Sequence, residues 1–294
     1  MIPWRKSANI IKNSIESEYG VKKRLYISDL DGTLLNNKKE ITAYSKATLN
    51  ELIATGVQFS IATARTSATV ERILEGLHIN IPIVLMNGVA LYDLKQHAYI
   101  DVEYIESTAS KEIMSRLNKA QKGGFIYTID DERGKGQLTA HYNKALNPYE
   151  TIFYEERKNA KLFKKHNPED IRNIIYFVFM DEKKKIEEIA QLIKDIEGID
   201  YALYKDNYME GAYLLEVYSK KASKSNGVSK VKQRCDYEEI VCFGDNLNDL
   251  SMFHIADYSY AMSNAADELK EVATKVIASN EEDGVARFIK KLEG

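Results

Sequence analysis

The chain has 294 residues, 44% of them hydrophobic and 29% charged, with a formal net charge of −3. That is an ordinary globular balance with room for one large domain or two smaller ones, and the small negative charge gives no general attraction to nucleic acid or to an anionic membrane. Two cysteines, Cys235 and Cys242, exclude a disulfide framework and a zinc cluster, and no apolar stretch nears the ~18 residues a membrane span needs. A reducing cytoplasm is the expected compartment.

Residues 1–22 carry charges at Arg5 and Lys6 with no apolar core behind them. They read as an N-terminal extension rather than a signal peptide. Leu25, Tyr26 and Ile27 then form a short apolar run, the mark of a buried parallel strand, closed by the turn signal Asp29-Leu30-Asp31-Gly32-Thr33. The strand ends by delivering two carboxylates to its carboxyl edge, the side of an open α/β sheet where ligands bind. Two acids so close repel unless a cation or proton separates them, which argues against a purely structural polar turn. A calcium loop fits less well, because its sixth position needs glycine and here holds Leu34.

Further along, Thr42 is a plausible N-cap with Ile41 as hydrophobic staple, opening an amphipathic helix that closes near Gly56. Val57–Ala62 reads as a strand, Ser67–Leu77 as a helix and Pro82–Met86 as a third strand. The rhythm changes near Tyr92. From 93 to about 217 tyrosines and polar loops increase; Ile174–Met180, Tyr201–Tyr204 and Tyr213–Tyr218 read as strands and Lys184–Ile196 as an amphipathic helix. The alternation then returns with the helix Lys224–Cys235, the strand Ile240–Phe243, the helix Asp249–Ile255, short strands at Tyr258–Met262 and Lys275–Ala278, and a closing helix Val285–Leu292. The expected architecture is α/β: a doubly wound parallel Rossmann-like core from 23–92 and 218–294, with an inserted α+β cap at 93–217.

Four clusters fall at the ends of expected core strands: Asp29 with Asp31, Thr63, Lys224, and Gly244-Asp245-Asn246-Leu247-Asn248-Asp249. Singly, each has a bland alternative. Thr63 reads as a helix N-cap, Lys224 as one lysine in a charged stretch, Asn248 as a turn residue and Asp249 as a cap. Jointly they supply what phosphoryl transfer needs: oxygen ligands for a hard divalent ion, a hydroxyl and an ammonium for phosphate, and a carboxylate able to act as nucleophile.

Together these residues resemble the four sequence signatures of the haloacid dehalogenase-like superfamily of phosphohydrolases. The nearest likeness is to its Cof-type subclass IIB, which carries a cap between the second and third signatures. Met86-Asn87-Gly88, Leu215-Glu216-Val217, Ala261–Ala265 and Glu282–Ala286 support the resemblance. It implies that Asp29 is the nucleophile and Asp31 the general acid and base. It implies that Thr63 and Lys224 hold the phosphate with the amides of Leu30 and Ala64. Asp29, Asp245 and the backbone carbonyl of Asp31 would ligate Mg²⁺, Asn248 would touch bound water or phosphate, and Asp249 would orient Lys224 or the metal shell. Two positions depart from the pattern: Ala64 and Ser225 stand where the family commonly has glycine. Ala64 would be strained if its backbone were left-handed.

The expectation is therefore a Mg²⁺-dependent phosphatase acting through an aspartyl-phosphate on a small phosphomonoester, a sugar phosphate or a phosphorylated cofactor. A phosphosugar mutase with the same intermediate and a non-catalytic sensor of a phosphorylated ligand are the alternatives. His141, Tyr142 and Tyr149 lie in a loop able to reach the site, though packing is their simpler reading. No oligomeric state follows from the sequence.

Overall fold

A computed structural model of the chain describes residues 23–130, 136–142, 146–158, 163–165, 171–206 and 209–293. The expected extension 1–22 lies outside them. The first strand, β1 (Arg24–Ser28), carries Leu25, Tyr26 and Ile27 fully buried, as befits a strand covered on both faces. The helix α1 (Ala43–Ala54) follows, and the Thr42 side chain accepts a hydrogen bond from the Ser45 amide at 3.0 Å, the expected cap. Thr55 takes the C-cap position and Gly56 lies just beyond it. The chain continues through β2 (Gln58–Ile61), α2 (Ser67–Ile73), β3 (Ile83–Leu85), β4 (Ala90–Asp93) and β5 (Ala98–Val102). The α2 helix is four residues shorter than its sequence pattern suggests, because Leu77 is buried from a turn rather than from a helical face.

Residues beyond this point build a second sheet. They form α3 (Ser107–Lys119), β6 (Phe125–Asp130), β7 (Gln137–Tyr142), α4 (Pro148–Arg157), β8 (Phe163–Lys165), β9 (Ile174–Glu182), α5 (Lys183–Ile193), β10 (Ile199–Lys205) and β11 (Ala212–Ser219). The chain then adds α6 (Lys224–Cys235), β12 (Glu239–Gly244), α7 (Leu250–Ile255), β13 (Tyr258–Met262), α8 (Asp267–Val272), β14 (Lys275–Ile277) and α9 (Gly284–Glu293).

Five strands pair in parallel in the order β14-β13-β12-β1-β2. From β1 the chain moves outward to β2 on one side, and from β12 it moves outward to β13 on the other. The boundary between β1 and β12 is thus the switch point, where a crevice opens beyond the carboxyl ends of the strands. In register, Ser28 lies opposite Phe243, so the loops after both strands start side by side. β3 joins beyond β2 through a parallel bridge between Ala62 and Val84, then turns into an antiparallel sheet with β4 and β5. α1 packs on α9, and α6 on α7 and β3.

The second sheet has the order β10-β11-β9-β6-β7-β8, antiparallel apart from the β7–β8 pair. Strand alternation gives it two different faces. Phe177, Phe179, Leu215 and Val217 pack with Ile113 and Leu117 of α3 and Ile186, Ile189 and Ile193 of α5. Tyr176, Val178 and Leu214 point the other way and join the buried cluster that runs through the parallel sheet. Among the described residues no helix is long and apolar enough to cross a membrane.

Candidate active site

Asp29 leaves β1 with its amide bonded to the Phe243 carbonyl of β12 at 3.0 Å. The turn after it closes on itself, because the amides of Thr33, Leu34 and Leu35 all donate to the Leu30 carbonyl. Leu30, Leu34 and Leu35 are buried and pin that turn to the core. Gly32 has φ +77, and a Cβ built there would lie 2.2 Å from Asp245 Oδ2. Both the dihedral and the close approach require glycine. The Thr33 hydroxyl completes the junction by donating to Asp245 Oδ1 at 2.9 Å. Gly32→Ala is expected to cost about 1–3 kcal/mol from the left-handed backbone alone and to push Asp245 aside. Urea unfolding measures the backbone cost; a variant as stable as the parent would refute the need for glycine at this turn.

The loop after β12 is a helix start. Asn246 caps it, its side-chain oxygen accepting from the Leu247 amide at 2.8 Å, while Asp249 Oδ2 accepts from the Asn246 and Asp245 amides at 3.0 and 2.9 Å. This capping box uses one carboxylate oxygen of Asp249. Its other oxygen accepts from Lys224 Nζ at 2.7 Å, and the same nitrogen donates to Asp29 Oδ1 at 2.5 Å. Lys224 is the first residue of α6, capped by Ser223, whose side chain accepts from the Asn226 amide. A cation at a helix N-terminus opposes the helix dipole, and here it is also buried to 1% exposure. Two carboxylates offset both penalties. The helix start is seated by Gly88, at φ +96, where a Cβ would lie 1.9 Å from the Ser223 carbonyl oxygen.

Asp29, Asp245 and Asp249 each offer one oxygen, and the three oxygens lie within 4.8 Å of one another. Three acids therefore meet one lysine. In the chain without a cation, burial pushes Asp29 up to about 8; Lys224 opposes this, while Asp249 and Asp245 add to it. Burial likewise pushes Asp245 up to about 6, against the Thr33 hydrogen bond and with the help of Asp249. Burial alone lowers Lys224, but Asp249 and Asp29 outweigh it and hold the ammonium above its ordinary value. The cluster is short of positive charge, and its donors are hard oxygens. A divalent oxygen-seeking cation fits that deficit. Asp249 has both oxygens engaged, so the oxygens not already bonded to protein belong to Asp29 and Asp245.

The other expected residues lie around this cluster. Thr63 is buried; its amide donates to the Val84 carbonyl and its hydroxyl accepts from the Arg65 amide. It is not the cap of α2, a position held by Thr66. The amides of Leu30 and Ala64 donate to no backbone carbonyl among the described residues. Ala64 is outside the left-handed region, so the strain foreseen for alanine there is absent. Asn248 is exposed and donates to Asn87 Oδ1 at 3.3 Å. The Asp31 carboxylate stands apart from the three-acid cluster. It is 48% exposed and held by Arg65, whose Nε and Nη2 donate at 2.7 and 2.6 Å. His141 is buried against Thr128, and Tyr142 stacks edgewise on Tyr154, so the packing reading holds for both.

Arg65 and Thr33 received no role from the sequence. Thr33 sits inside the acid-rich turn itself, and its polar neighbourhood was the available signal. Arg65 lies two residues past Thr63, and only the approach of the loop after β2 to the loop after β1 gives it a partner.

The chain matches a family model described as haloacid dehalogenase-like hydrolase over residues 26–289. It is 29% identical to a 5-amino-6-(5-phospho-D-ribitylamino)uracil phosphatase of Bacillus subtilis, covering 90% of this chain and 96% of that one. It is 26% identical to a pyridoxal phosphate phosphatase of Escherichia coli, covering 90% and 97%. Among solved structures, its fold is similar to that of a subclass IIB sugar phosphatase of the superfamily, with TM-score 0.67, 21% identity and coverage of 92% and 99%. On the family match, which spans almost the whole of both sheets and every cluster described above, the chain belongs to the haloacid dehalogenase-like hydrolases.

Proposed function

We propose that this hydrolase is a Mg²⁺-dependent phosphatase that splits a small phosphomonoester through an aspartyl-phosphate on Asp29. The observation that carries the reading is the meeting of Asp29, Asp245 and Asp249 from two adjacent strand ends around one buried lysine. The relatives named as a 5-amino-6-(5-phospho-D-ribitylamino)uracil phosphatase and a pyridoxal phosphate phosphatase support the substrate class, a phosphorylated cofactor or a sugar phosphate.

In this reading Asp29 and Asp245 would hold the ion, with the backbone carbonyl of Asp31 as a further oxygen donor, and Asp249 would support them through Lys224 and the loop amides. When bound, the ion neutralises charge on the phosphoryl oxygens and lets two anions approach each other. Asp29 then attacks phosphorus, and the bond from phosphorus to the leaving oxygen breaks. Lys224, Thr63 and the amides of Leu30 and Ala64 steady the transferred group by charge and hydrogen bonds. Asp31 gives a proton to the leaving oxygen and later takes one from the water that hydrolyses the aspartyl-phosphate, restoring both acids. Arg65 grips Asp31 in the chain alone, so Asp31 exchanges that partner for the leaving oxygen when substrate arrives. Residues 93–217 serve as the cap that excludes water and selects the leaving group.

Phosphate release in Mg²⁺ buffer across phosphorylated metabolites tests this function. EDTA is expected to stop release and Mg²⁺ to restore it; release that persists after complete metal removal would falsify the metal role. One phosphate freed per ester consumed separates a phosphatase from a mutase. Ligand binding with no hydrolysis across the panel would favour a sensor instead.

A further inference from the structure

Lys230 follows Lys224 along α6 by about 9 Å of helix axis and enters a cluster of four charges that takes no part in the chemistry above. Lys230 Nζ donates to Asp101 Oδ1 at 2.7 Å and also to Glu103. Arg234, one turn further along the same flank, donates from Nη2 to the other Asp101 oxygen at 3.1 Å. We infer that Lys230 is a positioning residue: it clamps α6 to the end of β5 and so keeps the start of that helix where Lys224 reaches Asp29 and Asp249 together. The inference rests on the phosphatase reading for what Lys224 does, and adds how that lysine is held.

Three observations carry it. The first is how little else holds α6. Behind Lys224 its buried residues are Gly227, Val228 and Val231, a narrow stripe without a large side chain. Apolar burial is non-directional, so such a stripe keeps the helix on the sheet but fixes its rotation and axial position weakly. The helix dipole also pushes outward on a cation at the N-terminus. Lys224 Nζ nevertheless meets two carboxylates, at 2.5 and 2.7 Å. A constellation of that kind tolerates displacements of only about 0.5 Å.

The second is the frame behind the clamp. The Glu103 amide donates to the Val89 carbonyl at 2.7 Å. Val89 follows Gly88, the residue on which the Ser223 carbonyl is seated. Paired segments of chain therefore hold α6 at two points, its cap through Gly88 and its middle through Asp101 and Glu103. Asp101 engages with both oxygens, so α6 neither turns nor slides without breaking a charge-assisted hydrogen bond. Burial alone would raise Asp101, but Lys230 and Arg234 outweigh it and hold the carboxyl below its ordinary value, which keeps the clamp charged.

The third is location. β5 ends at Val102, and by Ile105 the chain is bonded to Ile174 of the second sheet at 2.8 Å. The return path leaves β11 at Ser219 and enters α6 at Lys224. Lys221 pairs with Glu106 at 3.2 Å, so the two connectors run side by side. A displacement of the second sheet is thus handed through residues 220–223 straight to Lys224, unless α6 is anchored beyond it. Lys230 supplies that anchor. Stability is a poor reason for the cluster, because partly exposed ion pairs contribute little to it, and Lys230, Asp101 and Glu103 keep 29%, 25% and 22% of their side-chain surface exposed.

Hydrolysis of p-nitrophenyl phosphate in Mg²⁺ tests the clamp, with urea unfolding measured beside it. Lys230→Met is expected to lower kcat about tenfold, within the range for a catalytic group slightly misplaced from a distance. Asp101→Asn is expected to fall with it. Lys230→Arg still reaches both acids and should stay within about twofold of the wild type. On a Lys224→Ala background the loss from Lys230→Met should nearly vanish, because a residue that acts through Lys224 has little left to lose there. A shifted urea midpoint with kcat unchanged overturns the inference, as does a loss that Lys230→Arg does not rescue or that persists in full without Lys224. Where the double variant does not fold, the comparison of Lys230→Met, Lys230→Arg and Asp101→Asn decides alone. If the wild type hydrolyses neither this ester nor any of the metabolite panel, the phosphatase reading falls instead. The clamp is then read from stability: the midpoint shift caused by Lys224→Ala should shrink in Lys230→Met, and equal shifts overturn it.

Discussion

Asp29→Asn is expected to remove turnover, by at least about 10³-fold in kcat, while the chain stays folded. An amide lacks the anionic oxygen that the proposed mechanism has attack phosphorus, and losing a nucleophile removes the chemical step rather than one aid to it. The same substitution has a second, opposite effect on stability. Burial, with Asp249 and Asp245, holds Asp29 up at about 8 in the metal-free fold although Lys224 opposes it. A carboxyl raised above its unfolded value supplies stability that is complete below about pH 4 and is lost as pH rises through about 8. In EDTA, wild-type stability should therefore decline between those limits more steeply than that of Asp29→Asn, and at pH 8 the variant should melt no lower than the parent. Phosphate release and thermal melts at several pH values read both effects. Wild-type turnover in the variant would end the nucleophile assignment, and a lower melting point at pH 8 would end the electrostatic one.

Lys224→Ala carries the next largest consequence. The lysine has no exposed side-chain surface and donates to Asp29 and Asp249. Removing it leaves two buried acids facing each other with Asp245 beside them, a loss of about 3–5 kcal/mol for a buried pair broken on one side. The folded-state value of Lys224 lies above the ordinary lysine range, so its contribution is constant below that range and is lost only at higher pH. The stability deficit of the variant should thus persist across pH 5–9 when measured in EDTA. Saturating Mg²⁺ should narrow it, because a cation takes over part of the missing charge. Turnover should suffer in KM and kcat together, since the ammonium meets charge on bound phosphate and charge that shifts in the transition state. An unchanged urea midpoint would mean that Lys224 does not hold the acids together.

Contrasting elements show how far the sequence reads. β1, β12 and the centre of β9 are buried on both faces, so each appears as an unbroken apolar run and stands out. α6 and β13 match the ranges expected from the sequence. β6, β7 and α3 did not stand out. Their apolar positions occupy one face only and are diluted by tyrosines, threonines and charges, as in α3, where Ala109, Ile113 and Leu117 share the buried stripe with a serine, Ser110. β4 and β5 were hidden for a related reason, since the hairpin packs beside α6 through a few residues and ion pairs such as Lys230 with Asp101.

The sequence by itself determined the chemistry available. Acids placed straight after apolar strands must emerge at a sheet edge, and hard oxygens with one lysine and one threonine specify phosphate handling before any contact is known. What the sequence did not contain is distance. Only the order β12-β1-β2 brings the Asp245 loop beside Asp29, turns Lys224 inward as the bridge between Asp29 and Asp249, and leaves Asp31 on Arg65 outside the cluster. Local propensity decides which residues become strands. Pairing between segments some 200 residues apart is decided by burial of whole faces, which no window along the chain records.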